Sequence, residues 1–599
     1  MTEKISRRDL LKATAAAGAA SLIPAELQAG VPAVAGELGA QPAPDSRIQA
    51  LNCNSGVYIP PRGRSYFKFG FDFPEPSVPF ADLLVSFRVY TFENTYALDP
   101  TRMEITDQGG GSGGMEIRCS GFTWAGDQEK APGTLHARLR KNGNFVEWDV
   151  SAQMDKPIKS IATILRWVPR GPMSVACGNF MDHGQNEVSL SHPYLRGGMT
   201  TPLVVIKKGD QDFFFLSSLS TKVRGTRFYF EPGDQGYRTE LVYEQAGWEK
   251  SNRIETPTWR VGAAKSYEEA ARPHFEHLER TFKIGDWATR PDVPAWMRNV
   301  ALVVSIHGAH WCGYVYNDFA KMQKTLEWVA TQIPASRVLV FVPAWDGRYY
   351  WNYPIFKTDP RLGGDAGFRA LIDKGHSLGF HMMPMFGANA ANRKLSVFPN
   401  FANATTQRID GDAFDLNWGV DMDNDRSADG WGSFMNLGVD SWRQWMFGRI
   451  SDMIERFHVD AYFLDIVGGW MNNLRGDMYE GTVRLVNDLR AKYPGVLAVG
   501  EMHYDALMSC IPLYQVPSAP AYSPGFWKYC SSFLHLSHPA PGRGSTGVHE
   551  DGFGRFNPEL PRDGRTIPTI TVVDDTFDKY RDVMAGIITA AKARYGIAG

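Results

Sequence analysis

Asp460-Ala461-Tyr462-Phe463-Leu464-Asp465-Ile466-Val467-Gly468-Gly469-Trp470 sets a carboxylate directly after a short apolar run. The arrangement returns in Ala498-Val499-Gly500-Glu501-Met502-His503. Short continuous apolar runs bounded by turn residues are strands buried on both faces. Residues 478–493, between the two, read as a helix. Working outward, strands are expected at 300–306, 338–342, 380–385, 461–464, 496–499 and 569–573. Helices alternate with them. One carries Phe319, Met322, Leu326 and Val329 on a single face; others are expected at 366–378, 441–457 and 576–595. The helix at 441–457 turns Trp442, Trp445, Met446, Ile450 and Met453 toward a core. Such alternation predicts a (β/α)8 TIM barrel, with a doubly wound sheet as the alternative.

Upstream the period changes. Residues 48–262 hold short runs rich in β-branched and aromatic residues, among them 83–92, 134–150, 160–168, 203–219 and 227–231. Asn142-Gly143 and Gly209-Asp210 supply hairpin chemistry inside two of these. The expected organisation is a large N-terminal β-sandwich at 45–265, a helical linker at 266–294 and the barrel at 295–599. An insert is expected at about 386–437. The sandwich shows no acid/base pair, so it is expected to pack against the barrel without catalysing.

The 599 residues exceed one compact core. A net charge of -2 gives no basic field for nucleic acid. The first residues read as an address. Ser6-Arg7-Arg8-Asp9-Leu10-Leu11-Lys12 resembles the twin-arginine export motif, an Ala-rich stretch follows to Leu27, and Ala33-Val34-Ala35 offers a cleavage site. That stretch is too short and too mild for a membrane span, so no membrane insertion is expected. A signal peptide over residues 1–35 and a periplasmic or secreted protein follow. Cys53, Cys119, Cys177, Cys312, Cys510 and Cys530 show no CxxC spacing, and mostly free thiols are expected.

A barrel keeps its chemistry where strands end. There stand His307, His310, Trp345, Asp346, Arg348, His381, Asp465, Trp470, Glu501, His503 and the pair Asp574-Asp575. Asp465 and Glu501 follow consecutive strands. Neighbouring strands lie about 4.8 Å apart, which allows the roughly 5–5.5 Å carboxyl separation of retaining glycosidases. Close carboxylates also push their pKa values apart, as a nucleophile and a proton donor require. Each alone also fits a helix cap. Trp345, Tyr349, Tyr350, Trp351 and Tyr353 form a dense aromatic stretch, either a stacking wall for sugar rings or loop packing. Asp346 and Arg348 would bond hydroxyls beside it.

The barrel half resembles the α-amylase-like superfamily of retaining α-glycosidases. It is nearest the branch that includes endo-α-N-acetylgalactosaminidases, where a β-sandwich precedes the barrel. The resemblance implies that Asp465 is the nucleophile, Glu501 the acid/base, and an oligosaccharide, polysaccharide or glycoside the substrate. Amylases carry Arg two residues before the nucleophile, whereas Phe463 stands here. Asp575 is the candidate third carboxylate. Trp345, Asp346, Arg348, His381, Trp470, His503 and His310 are the candidate substrate-binding residues. No cofactor and no resident metal are expected, although Asp421, Asp423, Asp425 and Asp429 alternate as in a calcium loop. Two other classes compete. The histidines His307, His310, His381 and His503 fit a metal-dependent hydrolase of the amidohydrolase type, and the aromatic loops fit a non-catalytic carbohydrate-binding protein.

Overall fold

Val338, Leu339, Val340, Phe341 and Val342 are all buried, as a strand covered on both faces requires. In the computed structural model this run is one of nine strands in a parallel sheet. The structure describes residues 45–53, 73–108, 113–125, 127–175, 179–194, 197–309, 315–347, 352–409, 411, 432–501, 504–516, 524–534, 566–573 and 576–598. The parallel strands are β1 (Leu302–Ile306), β2 (Val338–Val342), β3 (His381–Gly387), β4 (Ala461–Asp465), β5 (Leu497–Glu501), β6 (Leu513–Val516), β7 (Ser531–Leu534), β8 (Thr566–Ile567) and β9 (Thr569–Val572). Their bonded order is β8-β7-β6-β5-β4-β3-β2-β1-β9.

Only Pro568 separates β8 from β9. Thr566 and Ile567 pair with β7, while Thr569–Val572 pair with β1. Pro568 has no N–H to give, but its carbonyl accepts from Val303 at 2.9 Å. One chain segment therefore bonds at both edges, and the sheet returns upon itself. Side chains alternate across each strand. Phe341, Phe463 and Phe533 meet inside the ring, with centroids 4.6, 6.0 and 6.3 Å apart.

Full helices fill the first four crossovers: Phe319–Gln332, Gly364–Leu378, Asp440–Phe457 and Met478–Lys492. After β5 the expected alternation changes. Asp505–Ser509 and Pro524–Lys528 are single 3-10 turns. Strands β6, β7 and β8, absent from the sequence reading, follow in quick succession. The helix expected at 576–595 is divided at Tyr580 into Thr576–Lys579 and Arg581–Arg594.

Ahead of the ring lie two antiparallel sheets of ten and nine strands. Val85, Phe87 and Leu241 of one share a core with Leu139, Trp148 and Val261 of the other. Gly143, with φ +60°, turns Asn142 back onto Phe145, a conformation few side chains tolerate. Helix α1 (Tyr267–Phe282) starts at Ser266, whose side chain caps the Glu269 N–H. It packs Ala270, Phe275 and Leu278 against Val205, Phe213 and Phe215 of the nine-stranded antiparallel sheet. Phe275 also meets Phe526 of the ring edge-on at 5.4 Å. One apolar core thus runs from that sheet through α1 into the ring.

Candidate active site

Asp465 and Glu501 are the last residues of β4 and β5. Leu464 pairs with Gly500, so the two carboxylates stand level on adjacent strands. Each lies two residues beyond an inward position, Phe463 or Val499, and therefore points into the ring. Both are buried, at 3% and 6% exposure. Burial pushes Glu501 above the ordinary glutamate range, and hydrogen bonds with Asp465 and the Ile466 N–H pull it part-way back. The two carboxyl groups lie within hydrogen-bonding reach of each other. Adjacent strands in register bring them that close. A hydrogen bond between two carboxyl groups needs one proton between them.

The backbone around the pair is strained. Ile466 has φ +52°, a left-handed conformation rare for a β-branched residue. There its N–H reaches Glu501 Oε2 at 2.9 Å. Asn389 Nδ2 donates to the Ile466 carbonyl at 3.1 Å and steadies the turn. Strain of this kind costs about 1–3 kcal/mol and concentrates at functional sites. On β3, Gly387 is level with Asp465. A Cβ at Gly387 would meet the Tyr353 ring at 2.1 Å, so only glycine lets that ring lie beside the carboxylate. Beneath lies the Phe341, Phe463 and Phe533 layer. Phe463, fully buried, makes this floor apolar.

Asp346 follows β2 and is 3% exposed. Its Oδ2 has no hydrogen-bond partner among the described residues. Burial, with a smaller contribution from Asp359, pushes its carboxyl up to about 7. Gln515 on β6, buried and level with Glu501, shares the inner face. Sequence reasoning passed it over; an amide inside the apolar run Leu513–Val516 was the available signal.

Several candidates sit elsewhere. Trp345 is fully buried, with its ring 5.5 Å from Phe368 and 5.8 Å from Phe386, and its indole N–H bonded to the Met385 carbonyl. It packs the ring against the following helix and offers no face to a sugar. Trp470 is also buried, edge-on at 5.1 Å to Tyr194, which follows the strand ending at His192. His381 opens β3 rather than ending a strand, so it lies at the opposite end of the ring from Asp465 and Glu501. It stacks on Trp296 at 4.0 Å and faces Asp460. His307 stands at the C-terminal end of β1, so these two histidines do not share a site. Among the described residues no three His, Cys, Asp or Glu side chains gather as metal ligands. His310, Arg348, His503 and Asp575, with Asp574, Tyr349, Tyr350, Trp351 and the acidic run 421–430, lie outside the described residues.

The chain shares its fold with the α-N-acetylgalactosaminidase NagBb from Bifidobacterium bifidum. In its ligand-free form that enzyme aligns with a TM-score of 0.59 at 11% identity, over 87% of this chain and 93% of its own. Its GalNAc complex aligns with a TM-score of 0.61 at 11% identity, over 86% and 90%. The GH36 α-galactosidase AgaA from Geobacillus stearothermophilus reaches only 0.47 at 9% identity, over 89% and 76%, too distant to weigh. No curated protein is similar in sequence. Residues 4–24 match the TAT (twin-arginine translocation) pathway signal sequence, so the chain carries a signal for export from the cytoplasm. No helix among the described residues is long and apolar enough to cross a membrane.

Proposed function

We propose that the chain is an exported retaining α-glycosidase, a β-sandwich followed by a (β/α)8 barrel whose second half has lost its long helices. The single observation that carries this is the Asp465–Glu501 pair: two buried carboxyls within hydrogen-bonding reach, level at neighbouring strand ends, with Glu501 raised by burial. Asp465 attacks the anomeric carbon while the bond from that carbon to the glycosidic oxygen breaks. Glu501 gives its proton to the departing oxygen. Glu501, now a carboxylate, takes a proton from water, whose oxygen attacks the same carbon and breaks the ester to Asp465. Two inversions leave the α configuration. The substrate enters by parting the carboxyl pair, and Asp346 accepts from a sugar hydroxyl through its open oxygen. Asp575, Arg348, His310 and His503 complete the site in this reading, and the polypeptide works in the periplasm or beyond. The fold shared with NagBb makes α-N-acetylgalactosaminides the first glycosides to try.

The test is a panel of nitrophenyl α- and β-glycosides with the first-formed anomer followed by NMR. Retained α product is expected. An inverted product ends the double-displacement reading, and binding without turnover turns the chain into a carbohydrate-binding protein.

A further inference from the structure

Four residues beyond Glu501, Asp505 is buried at the junction of three parts of the molecule. Its Oδ2 accepts from Thr201 Oγ1 at 2.7 Å and its Oδ1 faces His192 Nε2 at 3.2 Å. Thr201 Oγ1 lies 2.6 Å from His274 Nε2 on α1, and His274 Nδ1 lies 2.8 Å from Ser217 Oγ. The Asp505 N–H donates to the Thr200 carbonyl at 2.9 Å. All five residues are 4% exposed or less.

Proton positions follow from the chain of contacts. Burial pushes Asp505 upward, but His192 and the bonds from His192 and Thr201 hold it below the usual range, so it is an ionised acceptor. Burial pushes His274 down to about 3, so it is neutral. Thr201 spends its hydroxyl proton on Asp505 and must accept from His274 Nε2–H. Nδ1 of His274 is then an acceptor, and Ser217 donates to it. From Ser217 to Asp505 every donor points the same way, and His192 meets Asp505 from the other side.

The segment after Asp465 is braced from the same side. Tyr194 and Trp470 form a backbone bridge. Asn472 bonds Glu244, the Gln245 carbonyl and the Gly247 N–H. Both post-strand segments are therefore tied to residues 192–247.

We propose that the Ser217–His274–Thr201–Asp505–His192 chain is a latch by which the antiparallel sheets position Glu501 for proton transfer. This rests on the α-glycosidase reading above. Asp505 and Thr201 are positioning residues and touch no substrate. Thr201→Val keeps the shape and removes the bridging hydroxyl. The expected result is a loss of about 10- to 100-fold in kcat/KM on an unactivated alkyl α-glycoside. The dinitrophenyl α-glycoside, whose leaving group needs no proton, should be nearly unaffected. Thr201→Ser should restore the wild-type ratio. A merely structural role lowers both substrates together, and that result overturns the latch.

Glu501→Ala in the same assay separates this proposal from its foundation. If Glu501→Ala lowers both substrates alike, or the wild type cleaves no α-glycoside, the acid/base reading fails first. If Glu501→Ala discriminates by leaving group while folded Thr201→Val does not, the latch alone is wrong. Should Thr201→Val not fold, Asp505→Asn carries the test, and failure of both to fold makes the cluster structural only.

Discussion

At the N-terminal end of the ring, Asp460 receives the Met382 N–H at 2.8 Å and His376 Nε2 at 2.9 Å, with His381 beyond. Burial pushes this carboxyl up, but those partners win and hold it at about 2. At the C-terminal end, Glu501 has one backbone N–H and a second acid for company, and Asp346 keeps an oxygen without a partner. Both are pushed up. The acids differ little in chemistry; what differs is how far the fold satisfies them. A satisfied acid stabilises the fold, whereas an under-satisfied one keeps capacity for a ligand or a proton.

The sharpest way to break this contrast is to remove one acid from the C-terminal end. Asp465→Ala should lose about 10⁴-fold or more in turnover on every glycoside, with folding intact by circular dichroism. Residual activity near wild type would place the nucleophile elsewhere. Glu501→Ala comes next. Turnover of an alkyl glycoside should fall about 10²- to 10⁴-fold, and added azide should raise turnover of an activated aryl glycoside, giving α-glycosyl azide. Exclusively β-azide contradicts the assignment.

Stability against pH sharpens the contrast further. Asp346 is raised on folding, so its contribution is fully present below about 3.8 and is lost as pH rises through about 7. Linkage makes that loss roughly 4 kcal/mol at most. Asp346→Asn should flatten the decline of Tm between those values; an unchanged slope means that Asp346 is ionised in the native state. Asp460 behaves with the opposite sign. Its depressed value contributes stability above about 3.8 that disappears as pH falls through about 2. Asp460→Asn should cost about 2 kcal/mol in urea unfolding at pH 7 while kcat/KM stays within a few-fold. A large loss of turnover there would erase the distinction between the two ends.

The placements legible in the sequence are those that need only local pattern. Asp465 and Glu501 end apolar runs too short for helices, and strand adjacency set them side by side. His381 shows where local pattern stops. A run buried on both faces has no polar edge to mark its direction of use, and the strand extends to Gly387, leaving the histidine at its start. Trp345 and Trp470 are candidate substrate-binding residues in the sequence, with loop packing the alternative for the Trp345 stretch; their burial depends on Phe368 and on Tyr194, which sequence does not place beside them. Strands β6 and β7, of four residues each, are separated by 3-10 turns, so the helical period that flags a βα unit is missing. The latch lay further out of reach, since Thr201 and Asp505 are 304 positions apart.

The seam at Pro568 places a condition on biosynthesis. Strands β1 to β7 can pair in the order in which they leave the ribosome, each finding its neighbour already made. The first strand keeps a raw edge until Val303 meets the Pro568 carbonyl and Thr569. Until then that edge is an adhesive surface, able to add a strand from another molecule. The signal at residues 4–24 emerges long before the seam is made. A transport route that accepts only finished cargo must therefore hold a polypeptide whose address is readable well before its barrel is shut.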